Sequence, residues 1–152
     1  MGRYSTNILT GGTASADTVY QAFVAANAVD GNEATYWEST NTVFPHWWKY
    51  DLGAAVKKRA AILRMKCAVV MAGIGVKNFK LQGSNNDSDW VDLLTSITAN
   101  NANWQEWLFT PGAFYRYFRV YVTDDWEGSY NYCVINEIEI MAIKPTLFTF
   151  HG

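Results

Sequence analysis

Residues 45–53 read PHWWKYDLG and alternate regularly between two kinds of position. Trp48, Tyr50 and Leu52 lie on one side of an extended chain, while the intervening residues place an indole, an ammonium and a carboxylate on the other side. A period of two is typical of a β-strand with one apolar face against a core and one mixed face toward solvent. This stretch therefore predicts a half-buried strand.

The same alternation recurs along the chain, with turn residues between the segments. The predicted strands are 47–52, 61–67, 77–82, 90–94, 104–109, 115–123 and 135–143. The best helical candidate is Val19–Ala28, with Asp17 or Thr18 as N-cap. Many short strands without interleaved helices indicate an antiparallel sandwich or barrel. Its long connections, 39–45, 68–76 and 124–134, are the expected place for binding.

Composition excludes several classes of protein. The net charge is −2 and only 17% of residues are charged, so the basic stripe of a nucleic-acid binder is lacking. No apolar run approaches the roughly 20 residues of a membrane helix, and the N-terminus opens no signal-peptide core. The 24 aromatic residues suit a β core, but aromatic rings also stack on sugars and anchor interfaces.

The order of motifs resembles a discoidin domain, the coagulation factor V/VIII type C domain, in the galactose-binding-like superfamily that includes carbohydrate-binding modules. The resemblance implies an all-β jelly-roll sandwich of about eight antiparallel strands over residues 1–143. The tail 144–152 would then pack on the domain or on a neighbouring subunit. The motifs that carry the resemblance are Asn7-Ile8-Leu9, Ala28–Asn32 with Thr35-Tyr36-Trp37, Pro45–Gly53, Phe79–Asn85 with Trp90, Tyr115–Val120 and Asn136–Ile140.

The Asp30-Gly31-Asn32 turn has the oxygen atoms that a hard cation prefers. In related domains this turn commonly holds Ca²⁺ or Na⁺, which implies a structural cation here. The implied ligands are the side chains of Asp30, Asn32, Thr35 and Glu137 and the backbone oxygens of Asn27 and Asn136. The alternative is a metal-free turn in which Asp30 bonds Thr35 and Glu137 caps the bend.

The resemblance also implies a ligand surface on loops at one end of the sandwich. Glu38 stands where galactose-binding relatives have a His, and the 66–76 loop has neither Arg nor Asn. The resemblance therefore does not indicate which sugar this chain would bind. A mixture of rings, carboxylates and amides can still bind sugar hydroxyls and C–H faces, although Trp126 and Tyr130 could instead pack under their own loop. The candidates are Glu38, Asn41, Phe44, Trp126, Glu127, Tyr130 and Tyr132, with Asp125 and Asn131 beside them.

The remaining motifs favour no catalytic chemistry. Cys67 with His46 is the only conceivable nucleophile–base pair, His46 reads as structural, and free thiols are expected at Cys67 and Cys133. The apolar loop 69–74 suggests a protein contact or simple burial, because its basic rim is too thin for membrane insertion.

The sequence thus predicts a non-catalytic module that binds carbohydrate or a glycoconjugate and no nucleic acid. A single weak site gains from multivalency, which suits a repeated adhesion or decoration component of a phage or virus particle. The alternative is an architectural subunit that grips other subunits and retains no sugar site.

Overall fold

A computed structural model describes residues 2–67, 69 and 73–145, and within these it contains eleven β-strands. Two of them are only two residues long, which explains the excess over the expected eight or so. In chain order the strands are β1 (Tyr4–Asn7), β2 (Thr13–Ala16), β3 (Trp37–Glu38), β4 (His46–Asp51), β5 (Ala60–Lys66), β6 (Asn78–Ser84), β7 (Val91–Ile97), β8 (Trp104–Leu108), β9 (Tyr117–Val122), β10 (Val134–Ile135) and β11 (Glu137–Ile143).

The strands form two main antiparallel sheets and one short ribbon. The first sheet has the order β1-β11-β5-β8 and the second has the order β2-β4-β9-β6-β7. Strands β10 and β3 pair by themselves. Except for β6 and β7, neighbouring strands in the sheets are not consecutive in the chain, so the chain passes repeatedly between layers, and the expected all-β sandwich is confirmed.

The core lies between the inner faces of the two sheets. Leu63 on β5 and Ile140 on β11 face Trp48 on β4 and Phe118 on β9, and all four side chains are inaccessible to solvent. The alternation of burial along β4 is perfect, from His46 inward to Asp51 outward. The period-two pattern of 45–53 therefore positions the strand as the sequence predicts.

The predicted helix at 19–28 is wrong. This segment instead forms turns followed by a short 3₁₀ helix, Ala25–Val29. The backbone N–H of Tyr20 donates to the Glu38 carbonyl, and the Phe23 carbonyl accepts from the Glu38 N–H. These bonds to β3 replace the bonds of a helical turn, and Gln21 adopts a left-handed φ of 51° that a helix does not allow.

The proposed N-cap residues therefore have other partners. Asp17 accepts from the Trp47 backbone N–H and bonds the His46 ring, while the Thr18 carbonyl accepts from the Trp37 indole. In the described part of the chain, no helix is long and apolar enough to cross a membrane. Residues 70–72 of the apolar loop 69–74, and the tail from residue 146 onward, lie outside the described residues.

Candidate functional site

The ribbon of β3 and β10 brings two distant loops together at one end of the sandwich. Glu38 pairs in register with Val134, so the residues that precede β10 lie beside β3. The Ser39 N–H donates to the Cys133 carbonyl, and the Ser39 hydroxyl accepts from the Cys133 N–H at 3.0 Å. These bonds position the Glu38 side chain next to the aromatic residues of the 124–133 loop.

A cleft of about 280 Å³ opens at this junction. It combines a carboxylate, an amide and a hydroxyl with two phenol rings. Its lining residues are Tyr20, Glu38, Ser39, Asn41 and Tyr132. Three of these five, Glu38, Asn41 and Tyr132, are residues that the sequence predicts as ligand contacts.

Partial burial shapes the electrostatics of the cleft. Burial raises the pKa of the Glu38 carboxyl above its ordinary value, although its side chain still reaches solvent. Burial and then the charge of Glu38 raise the pKa of Tyr132 and of Tyr36. Both phenols therefore keep their protons at neutral pH and can donate hydrogen bonds.

Tyr20 and Ser39 line the cleft although sequence reasoning missed both. Tyr20 was not among the predicted ligand contacts because the sequence pattern assigned it to a regular helix. Its ring is 43% exposed and stacks toward Phe23, with 6.3 Å between ring centroids. Only the pairing of this segment with β3, which no local pattern reveals, turns Tyr20 toward the cleft.

The other predicted contacts lie off the cleft. The Trp126 indole donates to the Thr98 hydroxyl at 3.1 Å and packs under Lys77. The Glu127 side chain lies against Gly73, and Phe44 packs edge-on against the His46 ring. Tyr130 is exposed beside Tyr132, with 5.6 Å between their ring centroids.

Asp125 and Asn131, the other two predicted residues of the 124–133 loop, form hydrogen bonds that fix its backbone. Asp125 is buried and accepts from the Gly128 N–H, while its second carboxylate oxygen has no partner among the described residues. The Asn131 carbonyl accepts from His46. The ligand role of every predicted residue stays a prediction.

His46 ties together the two loops that flank the cleft. Its Nδ1 bonds the Asp17 carboxylate at 2.8 Å, and its Nε2 lies 3.0 Å from the Thr42 carbonyl and 2.8 Å from the Asn131 carbonyl. Both ring nitrogens face acceptors only, so the geometry favours the doubly protonated ring. Burial opposes this charge, but the bonds to Asp17 and the two carbonyls outweigh it and raise the pKa of His46.

The residues of the predicted cation site lie elsewhere, where the 30–35 turn meets the start of β11. The carboxyl groups of Asp30 and Glu137 are within hydrogen-bonding contact. Asp30 also accepts from the Asn32 N–H at 2.9 Å and from the Thr35 hydroxyl. Burial and then Asp30 raise the pKa of Glu137 to about 8. Burial opposes the shift at Asp30, but bonds from Thr35, Asn32 and Glu137 lower its pKa.

The other implied ligands are partly engaged in this region. The Asn27 amide donates to the Tyr36 carbonyl, and the Asn136 amide donates to the Glu33 carbonyl. These bonds use side-chain N–H groups, and the predicted role of both residues is through backbone oxygens. Two carboxylates meet here, and the described residues contain no group of three or more His, Cys, Asp or Glu placed to hold a metal.

The donor set nevertheless fits a hard cation. The buried Oε1 of Glu137 has no hydrogen-bond partner among the described residues, although a buried carboxylate oxygen is costly to leave unsatisfied. Two carboxylates in contact repel each other unless a proton or a cation lies between them. A calcium ion would satisfy both requirements with oxygen ligands only.

The cysteines lie in the core. Both Cys67 and Cys133 are free and buried. Burial raises the pKa of the Cys67 thiol to about 12 and the pKa of Cys133 well above its ordinary value. Neither thiol is therefore prepared to act as a nucleophile at neutral pH.

Known structures share this architecture. A family 32 carbohydrate-binding module of Clostridium perfringens in complex with galactose superposes with a TM-score of 0.78 at 15% identity, over 91% of this chain and 98% of the module. A second C. perfringens module, in complex with GalNAc-β-1,3-galactose, gives a TM-score of 0.77 at 12% identity, over 90% and 99%. Chitosan-binding module 1 of a Paenibacillus chitosanase/glucanase gives 0.73 at 25% identity, over 88% and 97%.

Among curated proteins no match is found. The F5/8 type C domain, by contrast, matches residues 12–138, which include all of the second sheet, strands β5 and β8 of the first, the cleft and the Asp30 turn. The chain therefore belongs to the F5/8 type C, or discoidin, domain family.

Proposed function

We propose that this chain is a non-catalytic carbohydrate-binding module whose site is the cleft between Tyr20 and Tyr132. The observation that carries the proposal is the composition of that cleft, in which two phenol rings flank a carboxylate and an amide. Aromatic rings stack on the C–H faces of sugars, while carboxylate and amide groups bond their hydroxyls. Its volume of about 280 Å³ lies at the small end of ligand pockets, which suits one end of a glycan.

Similar structures support this class of ligand. The superposed modules are carbohydrate-binding, and the Paenibacillus module, the most similar of those described above in sequence, is named for chitosan. The structural roles of the two groups that could conceivably act in catalysis also support a non-catalytic module. His46 is committed to Asp17 and two carbonyls, and the Cys67 thiol is buried with a raised pKa, so each has a structural explanation.

We also propose that Ca²⁺ binds at the Asp30 turn in a structural role. Asp30 and Glu137 would supply the carboxylates, Asn32 and Thr35 further side-chain oxygens, and the backbone of residues 27 and 136 the rest. The ion would supply charge compensation for the two touching carboxyl groups. It would also join the turn to the start of β11, which is distant in sequence.

The repeated-assembly context stays part of the proposal. Its support is physical: one shallow site of this size binds weakly, and several linked copies bind far more tightly than one. A virion or another multivalent particle would provide such copies. The molar mass of the purified chain in solution, and the number of copies on any particle that carries it, would test this part separately.

The sugar site is tested by removing one ring of the cleft. We expect the intact chain to bind on a glycan array, and Tyr132→Ala to weaken calorimetric affinity for the best array ligand at least tenfold, about 1.4 kcal/mol. The matched control is Tyr117→Ala on β9, which removes a partly exposed ring that packs against Arg116, outside the cleft lining. Equal losses in both variants, or no binding to any glycan, would refute the proposed site.

A further inference from the structure

Among the described residues, the Glu38 carboxylate is the only charged group that lines the cleft. None of the ion pairs and side-chain hydrogen bonds found among the described residues engages it, although its backbone is held on both sides. Its partial burial raises the cost of its negative charge, as the upward shift of its pKa reflects. The cleft therefore contains a carboxylate whose charge the surrounding protein leaves uncompensated.

The neighbours of Glu38 in the cleft are neutral. Tyr20, Ser39, Asn41 and Tyr132 contribute hydroxyls, an amide and ring faces, but no ammonium or guanidinium. The nearby His46 cannot turn toward Glu38, because both its nitrogens are bonded and its side chain is inaccessible to solvent. The described residues place no compensating positive charge in the cleft, so a cationic ligand would supply one.

Two properties of the cleft favour a primary ammonium over the neutral groups of a sugar. The ammonium is compact and donates three hydrogen bonds, so it can bond a carboxylate and an amide oxygen together. The phenol faces of Tyr20 and Tyr132 also attract a cation placed over them. A neutral hydroxyl makes a weaker bond to the carboxylate, and an N-acetyl group brings no charge.

Resting on the proposed sugar site, we propose that this cleft selects glycans that bear a free primary ammonium, as in 2-amino-2-deoxy sugars without N-acetylation. Glu38 is then the residue that determines specificity, and Tyr132 provides affinity for the sugar ring. The two roles are separable, since removal of the charge should leave stacking intact.

The test compares three ligands that differ only at C2. Tetramers of β-1,4-linked glucosamine, N-acetylglucosamine and glucose are titrated calorimetrically into the intact chain. We expect the glucosamine tetramer to bind at least tenfold more tightly than the other two, with a preference that decreases at high salt. Glu38→Gln should bring the three affinities to within about twofold, since only the charge is removed.

A matched control changes the net charge of the chain by the same amount as Glu38→Gln, but at a position outside the cleft. Glu106→Gln removes an exposed carboxylate on β8, and this variant should retain the preference. If the wild-type chain binds the glucose tetramer as tightly as the glucosamine tetramer, or if Glu38→Gln keeps the preference, the inference is overturned while the sugar site stands. If no glycan of any kind binds, both proposals are overturned.

Discussion

Addition of calcium to the metal-free chain is expected to raise its melting temperature by about 5–10 °C at a concentration about a hundred times Kd. A ligand that binds only the folded state contributes about 2.7 kcal/mol at that ratio, and 1 kcal/mol shifts the midpoint of a domain of this size by about 2–4 °C. The physical source is the contact between the Asp30 and Glu137 carboxyl groups, one oxygen of which is buried without a partner. Thermal unfolding with calcium and with chelator measures the shift.

Variants assign this shift to the proposed ligands. Glu137→Gln should lose most of the calcium effect, and without calcium it should be at least as stable as the parent, because a neutral amide relieves the repulsion from Asp30. Glu106→Gln, on the exposed side of β8, should keep the full effect. A chelator that leaves the parent melting temperature unchanged would show that the turn folds without a metal, as the alternative explanation requires.

Replacement of His46 by Gln is expected to cost about 3 kcal/mol of the free energy of unfolding. His46 is inaccessible to solvent, and its partner Asp17 is 18% exposed, so the substitution leaves a carboxylate of low accessibility without its counter-charge. It also breaks the bonds to the Thr42 and Asn131 carbonyls, which hold the loops on either side of the cleft. Chemical unfolding measures the loss, and glycan affinity should fall with it.

The same residue gives stability a defined dependence on pH. Since hydrogen bonds raise the pKa of folded His46 above its ordinary value of 6.5, its contribution is complete below pH 6.5 and disappears as the pH rises through the folded-state value. Asp17 is the charged group that faces the ring, while carbonyls of Thr42 and Asn131 and the Phe44 ring provide its other contacts.

As the pH rises above 6.5, the free energy of unfolding of the parent should therefore fall more steeply than that of His46→Gln. The difference in slope can reach about 1.4 kcal/mol per pH unit for one proton. Asp17→Asn, which keeps a hydrogen-bond acceptor but removes the charge, should flatten the slope in the same direction. Identical slopes in all three proteins would mean that folding does not shift the pKa of His46, which would contradict this prediction.

The strands were predictable because burial on one face imposes a period of two. β4 and β9 show this most clearly, with inward residues fully buried at every second position. The sequence could not show that the helix prediction at 19–28 is wrong, because the apolar residues there do have helical spacing. The segment departs from a helix because Tyr20 and Phe23 form backbone hydrogen bonds with Glu38, which is distant in sequence. The two-residue strands β3 and β10 are too short to leave any periodic signal.

The candidate sites differ in how far the sequence reveals them. The proximity of Asp30 and Glu137 follows from the resemblance and is present in the structure. Glu38 and Tyr132 were expected at the same loop end and do share a cleft. Trp126 was not separable from them by sequence, because its direction depends on one hydrogen bond to Thr98.

The most direct test of the sugar-binding account is to map the bound glycan on the chain. Titration of the best array ligand into isotopically labelled protein, followed by amide chemical shifts, reports which residues it contacts. The account predicts that the largest changes cluster at Tyr20, Glu38, Asn41 and Tyr132, around the cleft. Changes centred on the outer faces of the sheets, with this cluster unaffected, would contradict it.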